Sequence, residues 1–187
     1  MSDYGKIFVI SAPSGTGKTT IAKKIKELSK DIEVITTCTT RKPRPGETDG
    51  NDYRFITLMK FKEMIEKGEF AEWALVYDNY YGTPKKDIIS AINKGKKALL
   101  IIDTQGGRSI KSIFSEAVLI GILPPSVEEQ ERRIRKRSGL SEAEIKKRLE
   151  SAKEERKVIL SEYDHRFINK NLEKTIKKIA TVIERSG

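Results

Sequence analysis

Eight consecutive residues carry the clearest chemistry in the chain: Ala12-Pro13-Ser14-Gly15-Thr16-Gly17-Lys18-Thr19. They match the pattern G-x-x-x-x-G-K-[ST] at every fixed position but the first, where alanine stands for glycine. Such a loop turns successive backbone N–H groups inward around phosphate oxygens, a path that glycine permits. The positive end of the following helix adds to the field. Lys18 has the reach for the β- and γ-phosphates of a nucleoside triphosphate such as ATP, and the Thr19 hydroxyl suits a Mg²⁺ ion. Thr20 follows in the same turn. The bland alternative, an ordinary glycine turn before a helix, is weakened by the order strand, loop, helix. The loop alone does not name what receives a phosphoryl group.

The elements needed to hold that loop are present. Ile7-Phe8-Val9-Ile10 is a short β-branched run and predicts a buried strand. Ile21, Ala22, Ile25 and Leu28 recur at helical spacing after the loop. The stretch from Ile35 to Asp52 is rich in threonine, proline, glycine and charge, and predicts a short strand running into a long loop. A small helix follows near Leu58 to Lys67, ending at Gly68. Phe70 to Tyr77 predicts a strand with Glu72 embedded in it, and Asp78-Asn79 a turn. Residues 85 to 94 predict a helix closed by Gly95. Ala98 to Asp103 is a continuous apolar run ending in a carboxylate, and Val118 to Leu123 is another, closed by Pro124-Pro125. Residues 126 to 161 read as charged helix interrupted near Ser138-Gly139, Phe167-Ile168 as a last short strand, and Leu172 to Ile183 as an amphipathic helix. Alternating apolar strands and helices predict an α/β fold, a parallel sheet with helices on both faces.

Composition narrows the function classes. A chain of 187 residues suits one domain, and 37% hydrophobic against 34% charged leaves enough apolar material for one core. The net charge of +10 admits anionic partners, whether nucleotides, nucleic acid or an acidic membrane surface. Aromatic residues are 7% and do not interleave with a basic stripe, which argues against a single-strand binding platform. No apolar run approaches the roughly 20 residues a membrane helix needs. The start of the chain, with Asp3 and Lys6, does not read as a secretory signal, and the single Cys38 points to a reducing, cytosolic setting. His165, the one histidine, has no nucleophile or metal-ligand spacing around it and reads as a surface or packing residue.

Taken in order, the motifs resemble the guanylate kinase family over nearly the whole length. They are the phosphate loop, T-T-R-K-P-R-P-G-E at Thr39 to Glu47, G-N-D-Y at Gly50 to Tyr53 and F-A-E-W at Phe70 to Trp73. N-Y-Y-G-T at Asn79 to Thr83, D-x-Q-G at Asp103 to Gly106, L-P-P-S at Leu123 to Ser126 and an arginine-rich segment complete the series. The resemblance implies a P-loop NTPase-type parallel sheet core flanked by helices, with a small mixed α+β GMP-binding insertion and a helical lid. Within a single domain it implies a core of residues 1–34, 95–125 and 158–187, a GMP-binding region of 35–94 and a lid of 126–157. The implied reaction moves the γ-phosphoryl group of Mg-ATP directly, in line, to GMP or dGMP, giving ADP and GDP. That reaction belongs to purine nucleotide metabolism and GMP recycling in the cytoplasm. The implied partners are ATP and GMP, with no nucleic acid and no membrane, and the oligomeric state stays open between monomer and homodimer.

The residue chemistry stands beside the resemblance. Arg41 and Arg44 lie three apart in a proline-bounded loop, and two guanidinium forks suit a terminal phosphate. The resemblance assigns the Tyr53 and Tyr81 hydroxyls to the same phosphate, though either ring would also serve as packing. Glu72 in an apolar stretch would be costly unpaired, whereas guanine offers it two donors, N1–H and the 2-amino group. Adenine presents an acceptor at N1 and would leave the carboxylate unpaired, so the pair discriminates strongly. Asp103 resembles a second guanine-facing carboxylate, with Thr37 and Thr83 donating hydroxyls toward the base. Arg133, Arg137 and Arg148 occupy positions resembling the family's catalytic arginines, which stabilise the charge of the phosphoryl group in flight. Asn169 matches a family asparagine on the adenine and ribose side. Three departures stand out: Ala12 for the first glycine, Cys38 where serine is common beside the guanine site, and Ile101 where many members carry an aspartate near the metal's water shell.

Overall fold

The computed structural model describes residues 5–76, 78–136 and 141–186. Its core is a five-stranded sheet in the order β2-β7-β1-β8-β9, built from β1 (Ile7–Ser11), β2 (Ile32–Val34), β7 (Lys97–Ile101), β8 (Val118–Leu123) and β9 (His165–Ile168). Every pairing in it is parallel. All five residues of β1 are buried, as a central strand covered on both faces requires. Side-chain parity sorts the two cores. Ile7, Val9, Leu100 and Leu119 pack with Ile88, Ala91, Ile110 and Ile159. Phe8, Ile10, Leu99 and Ile120 pack with Ile21, Ile25, Ile176 and Ile179. Helices α1 (Lys18–Leu28) and α7 (Leu172–Arg185) therefore cover one face. Helices α3 (Lys85–Asn93), α4 (Thr104–Ile113) and α6 (Glu142–Glu162) cover the other.

A second, mixed sheet of order β4-β3-β6-β5 is inserted between β2 and α3. It comprises β3 (Cys38–Thr39), β4 (Arg54–Phe55), β5 (Phe70–Val76) and β6 (Asn79–Pro84), with α2 (Leu58–Glu66) beside it. Its small core is Cys38, Phe61 and Met64, and the Phe61 and Phe70 rings stack at 4.5 Å. Asp78 takes a left-handed turn at φ 63 and sends β5 back as β6. Helix α5 (Val127–Arg135) and the start of α6 fall within the segment expected as a lid, with a capping box at Ser141 and Glu144.

The structure changes the expected reading in four places. The strand expected from Ile35 is β3, which starts only at Cys38 and begins the insertion, while β2 has already ended at Val34 in the core sheet. Helix α4 was not evident in the sequence, because Gly106 and Gly107 dilute its helical pattern. Both glycines are needed for space, since a Cβ at Gly106 would come within 2.8 Å of Glu72 Oε2 and one at Gly107 would strike the Tyr163 hydroxyl. Helix α6 continues through the expected boundary at 157 and lodges Ile159 in the core. Asp103 lies beyond the end of β7 and is the N-cap of α4. No described helix is long and apolar enough to cross a membrane.

Candidate active site

The phosphate loop follows from β1 and α1. Gly15 and Gly17 take φ of 83° and 96°, values that strain any residue with a Cβ. Gly17 caps α1 with no side chain, so the helix start keeps its N–H groups for a ligand. Two buried amides brace the loop from behind. Gln130 Nε2 donates to the Ser14 carbonyl at 2.8 Å, and Asn169 Nδ2 to the Thr16 carbonyl at 3.0 Å. Below it, the Tyr163 hydroxyl donates to Ser11 Oγ at 2.7 Å, and Ser11 Oγ donates to the Asp103 carbonyl at 3.1 Å. Residues Ala12 to Lys18 and Thr20 line a cavity of about 880 Å³ that also meets Asp103, Lys147 and Glu155.

Oxygen donors in that cavity fit a Mg²⁺ ion. Magnesium is held by one or two carboxylates, substrate phosphates and water rather than by a protein cage. The Asp103 and Glu155 carboxylates both face the cavity, and no group of three or more metal-ligating side chains gathers among the described residues. Burial raises the Glu155 carboxyl, Lys18 pulls it down and Asp103 raises it further, so its proton is held above the ordinary range. The Thr19 side chain lies outside what the structure describes. Ile101, which stands in place of the family's aspartate, lies against a second cavity.

That second cavity, about 360 Å³, is lined by Thr37, Arg41, Arg44, Tyr53 and Tyr81, with Lys23 and Asp52 at one side. Arg41 is fastened by all three nitrogens: Nε donates to the Tyr81 hydroxyl at 3.2 Å, Nη1 to the Lys42 carbonyl at 2.7 Å and Nη2 to Glu47 at 2.9 Å. It also lies 5.3 Å over the Tyr53 ring, whose edge meets Tyr81 at 5.9 Å. Glu47 accepts in addition from the Arg44 amide at 2.8 Å. Burial would raise the Glu47 carboxyl, but the Arg41 hydrogen bond and that amide outweigh it and hold it below the usual range. The Arg44 guanidinium has no hydrogen bond or ion pair among the described residues. Arg44 and Tyr53 line both cavities and mark where the two meet.

Glu72 is 7% exposed, and its backbone partner across the β5–β6 ladder is Thr83. Its carboxyl is raised to about 7, first by burial and then by the Asp103 charge, with the Thr83 hydrogen bond only partly offsetting them. The Thr83 hydroxyl was expected to donate toward a base; in the structure it donates to Glu72, the nearest strong acceptor. Asp103 gives one oxygen to the Gly106 amide at 2.8 Å in capping α4. Cys38, expected beside the base, packs with Phe61 and Met64 because alternation along β3 turns it away from the flanking threonines. Its thiol is pushed up to about 11 by burial.

The lid arginines are less gathered. Arg133 donates to Glu129 one turn back at 2.7 Å, and Arg133 and Arg148 stand outside the phosphate-loop cavity. Arg137 lies outside the described residues. Asn169 supports the loop backbone rather than lining the cavity. Sequence reasoning missed Gln130, Glu155 and Tyr163. A polar residue four before Ile134 on the buried side of α5 was the available signal for Gln130.

Comparisons with known proteins point to one family. The family model described as "Guanylate kinase" matches residues 4–186. The chain is similar to a guanylate kinase of Clostridioides difficile, 47% identical over 179 residues, covering 96% of this chain and 87% of that one. It is also similar to one from Thermotoga maritima, 41% identical, covering 96% and 86%. Among solved structures it resembles guanylate kinase from Anaplasma phagocytophilum, with a TM-score of 0.82 and 32% identity over 99% of this chain and 87% of that one.

Proposed function

The chain belongs to the guanylate kinase family and transfers the γ-phosphoryl group of ATP to GMP, and we propose that the transfer is direct and in line. The observation that carries this reading is the meeting of the two cavities at Arg44 and Tyr53. A GMP phosphate held there by Arg41, Arg44, Tyr53 and Tyr81 would face a triphosphate seated on Ala12 to Thr20. A phosphate dianion is already nucleophilic, so no protein base is called for. Lys18 neutralises the β- and γ-phosphates. Thr19, with Asp103 and Glu155 nearby, would hold a Mg²⁺ ion, which would supply charge neutralisation to the triphosphate. Glu72, held by the Thr83 hydroxyl, reads the guanine edge with Thr37 and Asp103.

Arg133, Arg137 and Arg148 enter as the lid, residues 126–157, closes over the GMP-binding region, residues 35–94, and the core. Closure shields the transfer from water and limits ATP hydrolysis. Asn169 serves the ATP side by fixing the loop. The contacts assigned to GMP are to base and phosphate, which favours dGMP as an acceptor too. The setting that fits is the cytoplasm, where the enzyme recycles GMP in purine nucleotide metabolism. A coupled assay with GMP, dGMP, AMP and UMP tests the reading. GMP and dGMP should be phosphorylated, and AMP and UMP should trail by orders of magnitude. Comparable efficiency with AMP or UMP would overturn the acceptor assignment.

A further inference from the structure

Two side-chain bonds cross from α1 to the loop that carries Tyr53. Lys23 Nζ lies 2.8 Å from Asp52 Oδ1, and Lys26 Nζ donates to Asn51 Oδ1 at 3.4 Å. The two lysines are three residues apart and share one face of the helix. Most lysine pairs on a protein surface contribute little, but Asp52 is unlike a typical surface partner. Its side chain is 8% exposed, and its second oxygen accepts the Thr48 amide at 3.0 Å, so both oxygens are fixed. The Lys23 ammonium first, then the Thr48 amide, hold the Asp52 carboxyl below its ordinary range. Thr36 adds a hydroxyl bond to the Gly50 carbonyl at 3.3 Å, and the Gly50 amide donates to the Tyr53 carbonyl at 2.8 Å.

These contacts link two substrate sites through one helix. Helix α1 begins at Lys18, on the phosphate loop, and Lys23 follows about 7.5 Å along its axis. Asp52 is joined directly to Tyr53, whose ring lies under Arg41 and whose side chain faces both cavities. Resting on the acceptor reading above, we propose that Lys23 and Asp52 are a positioning pair that ties the acceptor-phosphate loop to the phosphate-loop helix. The pair sets where the acceptor phosphate stands relative to Lys18. Neither residue needs to touch the reacting atoms.

The test measures GMP dissociation constants by calorimetry, and KM for GMP and for ATP, in wild type and four variants. These are Lys23→Met, Lys23→Arg, Asp52→Asn and the Lys23→Met/Asp52→Asn double variant. Lys23→Met should weaken GMP about fivefold, the upper end for a single ion pair. ATP KM should stay near wild type, because Lys23 does not line the phosphate-loop cavity. Lys23→Arg should recover GMP affinity, and the double variant should be no worse than the worse single one. Unchanged GMP affinity in Lys23→Met, an equal rise in both KM values, or fully additive losses would overturn the inference. If Asp52→Asn does not fold, the two Lys23 variants still decide it. Wild type that bound no GMP would overturn the acceptor reading itself, a result distinct from failure of the pair alone.

Discussion

On the proposed function, discrimination between bases would be concentrated in the one buried carboxyl of Glu72, raised to about 7. On that reading GMP needs it ionised, because both N1–H and the 2-amino group would donate to it. In the ligand-free protein its folded pKa lies above its unfolded one. The protonated form therefore adds stability that is full at acid pH and lost as pH rises through 7. Glu72→Gln should then leave the empty protein more stable at pH 8, by roughly 2–3 kcal/mol, as a thermal melt would read. The same variant should lower the GMP/AMP ratio of kcat/KM about ten- to a hundredfold, since a charge-assisted bond at a buried site is lost. In wild type that ratio should climb between pH 6 and 8. Titration of the acceptor phosphate is common to both nucleotides and cancels in the ratio. A flat wild-type ratio, or an unchanged one in the variant, would remove Glu72 from base recognition. The two arginines should also part company. Arg44→Met should raise KM for GMP and leave the melting temperature unchanged, whereas Arg41→Met should lower both GMP affinity and stability, because Arg41 ties together Tyr81, Lys42 and Glu47. Equal melting temperatures in the two variants would contradict that division. Glu72 could be picked out from the sequence as a carboxylate in an apolar run, but its bond to Thr83 could not. That bond depends on the β5–β6 register, which alternation alone does not set.

Among the elements, the phosphate loop is held by residues more than a hundred positions away. Gln130 on α5 and Asn169 after β9 fasten consecutive turns of it through the Ser14 and Thr16 carbonyls. Gln130→Leu keeps the side-chain bulk and leaves the half-buried Ser14 carbonyl without its donor, a defect of about 1 kcal/mol. The variant should melt earlier and show a raised KM for ATP, with KM for GMP close to wild type in steady-state kinetics. A rise in GMP KM alone would show that Gln130 does not act through the loop. Strand β1, the loop and α1 could be read from apolar runs and glycine placement because those signals are local. Helix α4 could not: Gly106 and Gly107 are there to admit Glu72 and Tyr163, and a tertiary demand of that kind erases the local helical signal. The brace from Gln130 was hidden for the same reason, since only the packed fold brings α5 to Ser14.

Across the whole molecule, parity along β1 decides which helices cover which face, and the mixed insertion between β2 and α3 carries Arg44 and Tyr53, which line both cavities. The alternation of buried strands and helices made the parallel α/β core readable in advance. The relative placing of the segment expected as a lid was not, since Arg133 is held by Glu129 on its own helix and does not line the phosphate-loop cavity. What the arrangement most specifically claims is that the donor and acceptor phosphates meet directly at Arg44 and Tyr53, with no enzyme nucleophile between them. The most direct measurement is the stereochemical course of transfer from ATP carrying an isotopically chiral γ-thiophosphate to GMP. The account predicts inversion at the transferred phosphorus in the GDP product. Retention would mean two displacements through a phosphorylated residue, and would contradict it.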